Sequence, residues 1–153
     1  MPTDAPNGHD LLVANFSTLK DLDAIIPPGR AASDGDIVNV SFGYGTNSRL
    51  IIEHQGHDLS IRWVVFDDIV SFRVQDECEM IGYWEIRSAE GLPAAFGYEI
   101  GQSCYLLEMR QGVTAIMNKE RRLRHFLIGG RNNCVEAIAF EAPNVSTEKP
   151  STS

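Results

Sequence analysis

Two histidines, His54 and His57, flank the dipeptide Gln55-Gly56 between two alternating runs, and this is the first place where the chain could do chemistry. A two-residue hairpin loop would set the imidazoles directly opposite one another, with Cβ atoms roughly 4.5 to 5.5 Å apart on one side of the ribbon. Such a pair could share a metal ion. By the same parity Glu53 and Asp58 fall on the other side, so neither completes a ligand set, and the sequence names no third ligand. Two ordinary histidines at a solvated hairpin tip are the simpler reading. No metal and no cofactor are expected.

A second set is Gln102-Ser103-Cys104-Tyr105, which places a thiol at the first turn of an expected helix, where the macrodipole favours an anion. His125 lies on a later strand, and Asn132 or Asn133 follows. The order Cys, His, Asn is that of papain-like thiol hydrolases. Against it, the run Cys-Gly-Ser-Cys-Trp is absent, the Cys-to-His separation is short, and the asparagines sit in an expected turn. A cysteine beside Tyr105, Leu106 and Leu107 is more often a small buried hydrophobe. No catalytic residue is assigned.

The third set is electrostatic. Lys119-Glu120-Arg121-Arg122-Leu123-Arg124 places four basic residues within six positions of an acidic chain. They could clamp a phosphate or dock an acidic surface; a solvated face or edge-strand protection is the plainer reading. Asp76-Glu77-Cys78-Glu79 lacks the alternating oxygens and the glycine of a calcium loop. Gly43, Gly45 and Gly56 spell neither a dinucleotide fingerprint nor a P-loop, and there is no GxSxG elbow and no HExxH. The candidates for a binding face are His54, His57 and Trp63, which share an expected side, followed by Tyr105, Arg122 and Arg124.

The elements that would position these side chains are mostly strands. In His57-Asp58-Leu59-Ser60-Ile61-Arg62-Trp63-Val64-Val65, Leu59, Ile61, Trp63 and Val65 fall on one expected dry face, with Asp58, Ser60 and Arg62 on the wet one. Residues 36 to 43 alternate with Val38, Val40 and Phe42 on one side, and residues 69 to 75 with Val70, Phe72 and Val74. Residues 49 to 54, 81 to 87 and 94 to 100 are further strands. Residues 122 to 128 and 134 to 141 form a last pair around Gly129-Gly130-Arg131-Asn132-Asn133. One short helix is expected at 18 to 26, capped by Ser17 or Thr18 and ended by Pro27-Pro28. Another is expected at 104 to 111, capped by Ser103 and stopped by Gly112. The fold class that follows is mainly β: an antiparallel β-sandwich or partly open barrel of roughly eight strands with two short helices. Trp63, Phe66, Phe72, Trp84, Phe96, Phe126 and Phe140 supply the expected core, and a ligand cavity would be lined by the same residues.

Composition narrows the function classes. A chain of 153 residues with 43% hydrophobic and 22% charged residues reads as one ordinary globular domain. That domain is expected over residues 11 to 145, with a loose N-terminal segment at 1 to 10 and a loose tail at 146 to 153. A net charge of −8 argues against nucleic acid and anionic membranes. Cys78, Cys104 and Cys134 are odd in number and lack a CxxC pair, so neither a disulfide framework nor a zinc knuckle is expected. With no signal-like segment and no span-length apolar run, the expected location is cytoplasmic, with reduced thiols.

Phe66-Asp67-Asp68-Ile69-Val70-Ser71-Phe72-Arg73, Ser103-Cys104-Tyr105-Leu106-Leu107, Gln111-Gly112, Leu123-Arg124-His125-Phe126-Leu127-Ile128 and Asn133-Cys134-Val135-Glu136-Ala137-Ile138-Ala139 occur in that order. Over about half the chain, this order resembles a group of small bacterial proteins, mostly uncharacterised, some thought to be immunity or other partner-binding factors. The resemblance implies a non-enzymatic protein acting through a protein-protein surface, and it carries no catalytic residues. Whether the chain is an enzyme stays open, with the balance toward not. The alternative is a small-molecule binder or minor enzyme with an aromatic-lined cavity. Self-association through an open sheet edge is a third reading.

Overall fold

The protein, seen in a computed structural model, is mainly β, and residues 16–18, 35–43, 48–56, 59–76, 97–101 and 103–151 are described. The elements in chain order are β1 (Phe16–Thr18), β2 (Gly35–Gly43), β3 (Arg49–Gly56), β4 (Ile61–Asp67), β5 (Ile69–Asp76), β6 (Gly97–Ile100), α1 (Cys104–Arg110), α2 (Val113–Met117), β7 (Arg124–Gly129), β8 (Asn133–Ala139) and β9 (Asn144–Ser146). They form two antiparallel sheets, a five-stranded one ordered β1-β6-β7-β8-β5 and a four-stranded one ordered β2-β3-β4-β9. Of the two architectures expected, this is the sandwich. Among the described residues no helix is long and apolar enough to cross a membrane.

The two sheets bury their inner faces against each other. Ile37, Leu50, Ile52, Val64 and Phe66 of the smaller sheet meet Ile69, Phe126, Ile128, Val135, Ala137 and Ala139 of the larger one. Phe66 and Phe126 pack with ring centroids 5.4 Å apart. The larger sheet is covered on its outer face too. There Tyr105 and Leu106 of α1, with Leu123 and Phe140, pack on Ile138. Doubly covered strands lose their alternation, which is why all of His125 to Gly129 and Cys134 to Ala139 are buried.

Two β-bulges redirect side chains that simple alternation assigns elsewhere. The pairing of β2 with β3 skips a residue between Ile37 and Asn39, so Ile37, Val40 and Phe42 reach the core. Val38, expected beside Val40 and Phe42, is the extra residue and is 49% exposed. In β5 the skip falls between Ile69 and Ser71. Ile69 and Phe72 then face the inner core, whereas Val70 packs on the α1 side, away from Phe72. An extra residue in one strand reverses the parity of everything beyond it.

The β3–β4 hairpin also differs from expectation. Gln55 pairs with Ile61 and His54 with Arg62, so five residues rather than two lie between the last paired positions. The Leu59 N–H donates to Gly56 O at 3.0 Å, the Gly56 N–H donates to Ser60 O at 2.8 Å, and Leu59 adopts φ 66°. Leu59 thus takes a left-handed position at the end of the loop, where the returning strand begins. The expected dry quartet is therefore divided. Leu59 is 74% exposed at the turn, and the core face of β4 is Arg62, Val64 and Phe66. Arg62, expected to be wet, is buried.

Local signals held where they are strongest. Ser103 caps α1, its Oγ accepting the Leu106 N–H at 3.0 Å. Gly112 follows the end of α1 and serves as the N-cap of α2, a helix the sequence did not reveal. The segment expected as a loose tail starts in β9, where Ser146 pairs with Trp63, and Arg49 Nη1 donates to Ser151 O at 3.0 Å. The outer edge of β4 needs backbone partners, and Val145 packs on the core, so the chain there has a reason to order. Of the helix expected at 18 to 26, only Thr18 lies within the described residues. It ends β1, with Ser17 and Thr18 paired to Glu99 and Tyr98. Residues 1 to 10, His57, Cys78, the strand expected at 81 to 87, Trp84 and Phe96 lie outside the described residues.

Candidate functional site

Among the described residues, a buried polar cluster lies under α1, on the outer face of the larger sheet. Cross-strand register assembles it. Arg73 pairs with Glu136, and Glu136 pairs with Leu127, two positions from His125 on the same face. Directly opposed and diagonal neighbours on one face are within side-chain reach. Arg73 Nε donates to Glu136 Oε2, and His125 Nε2 lies 3.0 Å from Glu136 Oε1. Ser103 Oγ sits 2.7 Å from His125 Nδ1. That Oγ also accepts the Leu106 N–H, so one hydroxyl joins the start of α1 to the His125 ring.

Tyr105 closes the cluster from above. Its ring meets the His125 ring edge-on at 5.4 Å, its hydroxyl lies 2.5 Å from Ser71 Oγ, and the Arg73 guanidinium stacks 4.2 Å from its centroid. Burial pushes the Tyr105 phenol up, against the lowering by Ser71 and Arg73. Burial also pushes the Glu136 carboxyl up. Hydrogen bonds and charge from His125 and Arg73 outweigh it and hold Glu136 below the usual carboxylate range.

Ser103, His125 and Glu136 have the composition of a hydrolytic triad, but their setting differs. All three are fully buried. The hydroxyl meets Nδ1 and the carboxylate meets Nε2, the reverse of the template in which Nε2 takes the nucleophile's proton. Ser103 is also committed to capping α1. The cluster fastens α1 to the sheet through Ser103, which bonds both the Leu106 N–H and the His125 ring. The Cys104–His125 pairing does not form: Ser103 occupies Nδ1, and Cys104 is exposed. Asn132 Nδ2 donates to Asp36 at 2.7 Å, and Asn133 begins β8.

The six residues expected to form a binding face are dispersed. His54 points into the sandwich, opposite Arg62 and with its ring against Gly35, where an added Cβ would meet His54 Cε1 at 2.4 Å. Burial first, then the charge of Arg62, lowers its pKa to about 4, against a backbone hydrogen bond with Gly129 and the charge of Asp36. Trp63 pairs with Glu53 on the opposite face, its ring 5.9 Å from Lys149 Nζ. His54 and Trp63 thus do not share a side, because His54 pairs with Arg62, an odd number of residues beyond the expected His57. No opposed His54–His57 pair can form in this register, and His57 is outside the described residues. Tyr105 is buried in the cluster above. Arg124 is held by Glu99 through two hydrogen bonds of 2.7 and 2.8 Å. Arg122 is exposed. Among the described residues, no three His, Cys, Asp or Glu side chains gather as a metal site.

One surface feature was missed from sequence. On α2, Val113, Ile116 and Met117 are 75%, 54% and 77% exposed. Their i, i+3, i+4 spacing places them on one face, while Ala115 packs inward on the α1 cluster. Arg110 precedes this ridge, and Lys119, Glu120, Arg121 and Arg122 follow it, all exposed. The segment gives an amphipathic signal, but five helical residues are too few for a periodicity to stand out.

Comparison with models of protein families, with curated proteins and with solved structures finds no match to this chain.

Proposed function

We propose that the protein is a non-enzymatic bacterial binding protein acting through a protein-protein surface, immunity-like in kind, with the outward face of α2 at the centre of that surface. The observation that carries this reading is the joint exposure of Val113, Ile116 and Met117 on one face. Single exposed apolar residues are ordinary, whereas a contiguous set rimmed by charge is the usual mark of a docking site. Burying the three would contribute about 1 to 2 kcal/mol each. Association costs on the order of 4 to 15 kcal/mol. The ridge therefore anchors an interface whose polar rim must contribute as well.

The interior supports the same choice over a cavity or an active centre. Among the described residues, Phe66 and Phe126 pack against each other between the sheets, and the triad-like grouping of Ser103, His125 and Glu136 is buried beneath α1.

The test is affinity capture from the source cell at about 50 and about 300 mM salt, a range that spans strong and weak screening. The baits are the tagged chain and a variant carrying Val113→Ser, Ile116→Ser and Met117→Ser. One protein retained by the native chain and lost from an equally stable variant is the expected result. Equal retention by both baits, or by neither, contradicts it.

A further inference from the structure

We infer that the start of β2 and the β7–β8 turn form a clasp between the two sheets, and that acid opens it through His54, buried beneath, while the rest of the sandwich stays folded. The device is separate from the α2 surface.

The clasp is built from backbone and short side chains. The Arg131 N–H donates to Gly35 O at 2.9 Å. Asn132 Nδ2 donates to Asp36 Oδ2 at 2.7 Å, and Asp36 Oδ1 accepts the Ile37 N–H at 3.0 Å. Gly130 lets the turn press on β2, since a Cβ there would lie 2.9 Å from Ile37 N and 3.1 Å from Asp36 Oδ1. These contacts join different sheets: β2 belongs to the smaller, β7 and β8 to the larger. Among the described residues β2 is the end strand of its sheet, and its pairing is interrupted by the bulge between Ile37 and Asn39. Residues 35–37 are thus a short edge unit, and such units open at a lower free energy than the whole chain.

His54 lies directly behind this unit. It pairs with Ile37, its ring lies against Gly35, and a backbone hydrogen bond links it to Gly129 at the base of the turn. The charged groups that bear on the ring are Arg62 on β4 and Asp36 on β2; the turn contributes the Gly129 backbone and the exposed Arg131. A proton on the enclosed ring sits in a desolvated site beside the Arg62 cation. Parting residues 35–37 from the turn wets the ring and leaves Phe66 packed on Phe126. The exposed ring takes its proton at the ordinary 6.5 and the enclosed one only at about 4, so opening is favoured as pH falls below 6.5. From these values the open fraction rises roughly thirtyfold between about pH 7.5 and about pH 5.

The experiment is amide hydrogen exchange of the full chain, followed by NMR between about pH 7.5 and about pH 5 and corrected for intrinsic exchange. The Arg131 amide reports the clasp, and the amides around Ile52 in β3 and Ala137 in β8 report unfolding of the whole chain. Arg131 should lose roughly thirtyfold in protection toward the lower pH while exchanging faster than the core amides throughout. About 1 M urea should speed the core amides far more than Arg131, because local opening exposes little surface. His54→Gln should abolish the pH response of Arg131, with His54→Leu as the second variant should the first not fold. Asn132→Ala should speed Arg131 exchange about fivefold at every pH and leave its slope unchanged. Protection of Arg131 that is flat with pH in the native chain, or that keeps its slope without His54, overturns the inference. Exchange of Arg131 in step with the core amides overturns it too, since the opening would then be unfolding of the whole chain.

Discussion

His54 shows how a single buried side chain makes folding depend on pH. In the native state burial and Arg62 lower its pKa to about 4, from an unfolded value of 6.5. Between those values the unfolded chain binds the extra proton, so stability is full above pH 6.5 and falls as pH drops toward 4. The shift corresponds to roughly 3 kcal/mol, read from denaturant unfolding at neutral pH and near the native pKa. His54→Gln should flatten that dependence, and an unchanged slope would contradict the assignment. Glu136 acts further down. Its lowered pKa means its contribution is present above the ordinary carboxylate value and is lost as pH falls below it. Glu136→Ala strands Arg73 and His125 and should cost about 3 kcal/mol in the same assay. Ser103 is equally testable. A fluorophosphonate should leave it unmodified in the folded protein, and labelling there would reinstate a hydrolytic triad. None of this was legible residue by residue. Glu136 inside Cys-Val-Glu-Ala-Ile-Ala was the visible oddity, a charge in an apolar run, but its partners are Arg73, distant in sequence, and His125, brought to it across the β7–β8 pair.

Elements were legible where their determinants are local. Ser103 before α1 and the glycine-asparagine turn between β7 and β8 are signals contained in a few adjacent residues, and both elements formed as expected. The β3–β4 register was not, because the left-handed position is filled by Leu59, which gives no warning of a positive φ. The bulges at Val38 and Val70 are equally silent, since neither carries a glycine to mark it. The β3–β4 register alone moved Arg62 inward and parted His54 from Trp63. The cap offers a direct check at this scale. Ser103→Ala removes the Leu106 acceptor and the His125 partner together, and should cost about 2 kcal/mol by thermal unfolding. A cost below the ~0.5 kcal/mol of an ordinary surface change would mean the cluster does not fasten α1.

At the scale of the molecule, the sandwich puts its ionisable chemistry inside and leaves an apolar helix face outside. The larger sheet is covered by the smaller sheet on one side and by α1 on the other, so the Ser103–His125–Glu136 grouping is enclosed. The fold class was readable from alternation, since a two-residue period survives errors of register. The exposed α2 face proposed for docking was not, because it depends on which side of a five-residue helix the rest of the chain leaves bare. Site-specific photo-crosslinking in the source cell tests this division most directly, with the photoreactive group placed at Met117 or, for comparison, at the exposed Val74 of β5. The account requires a discrete adduct with one protein from position 117 and none from 74. An adduct from position 74 with none from 117 would contradict it.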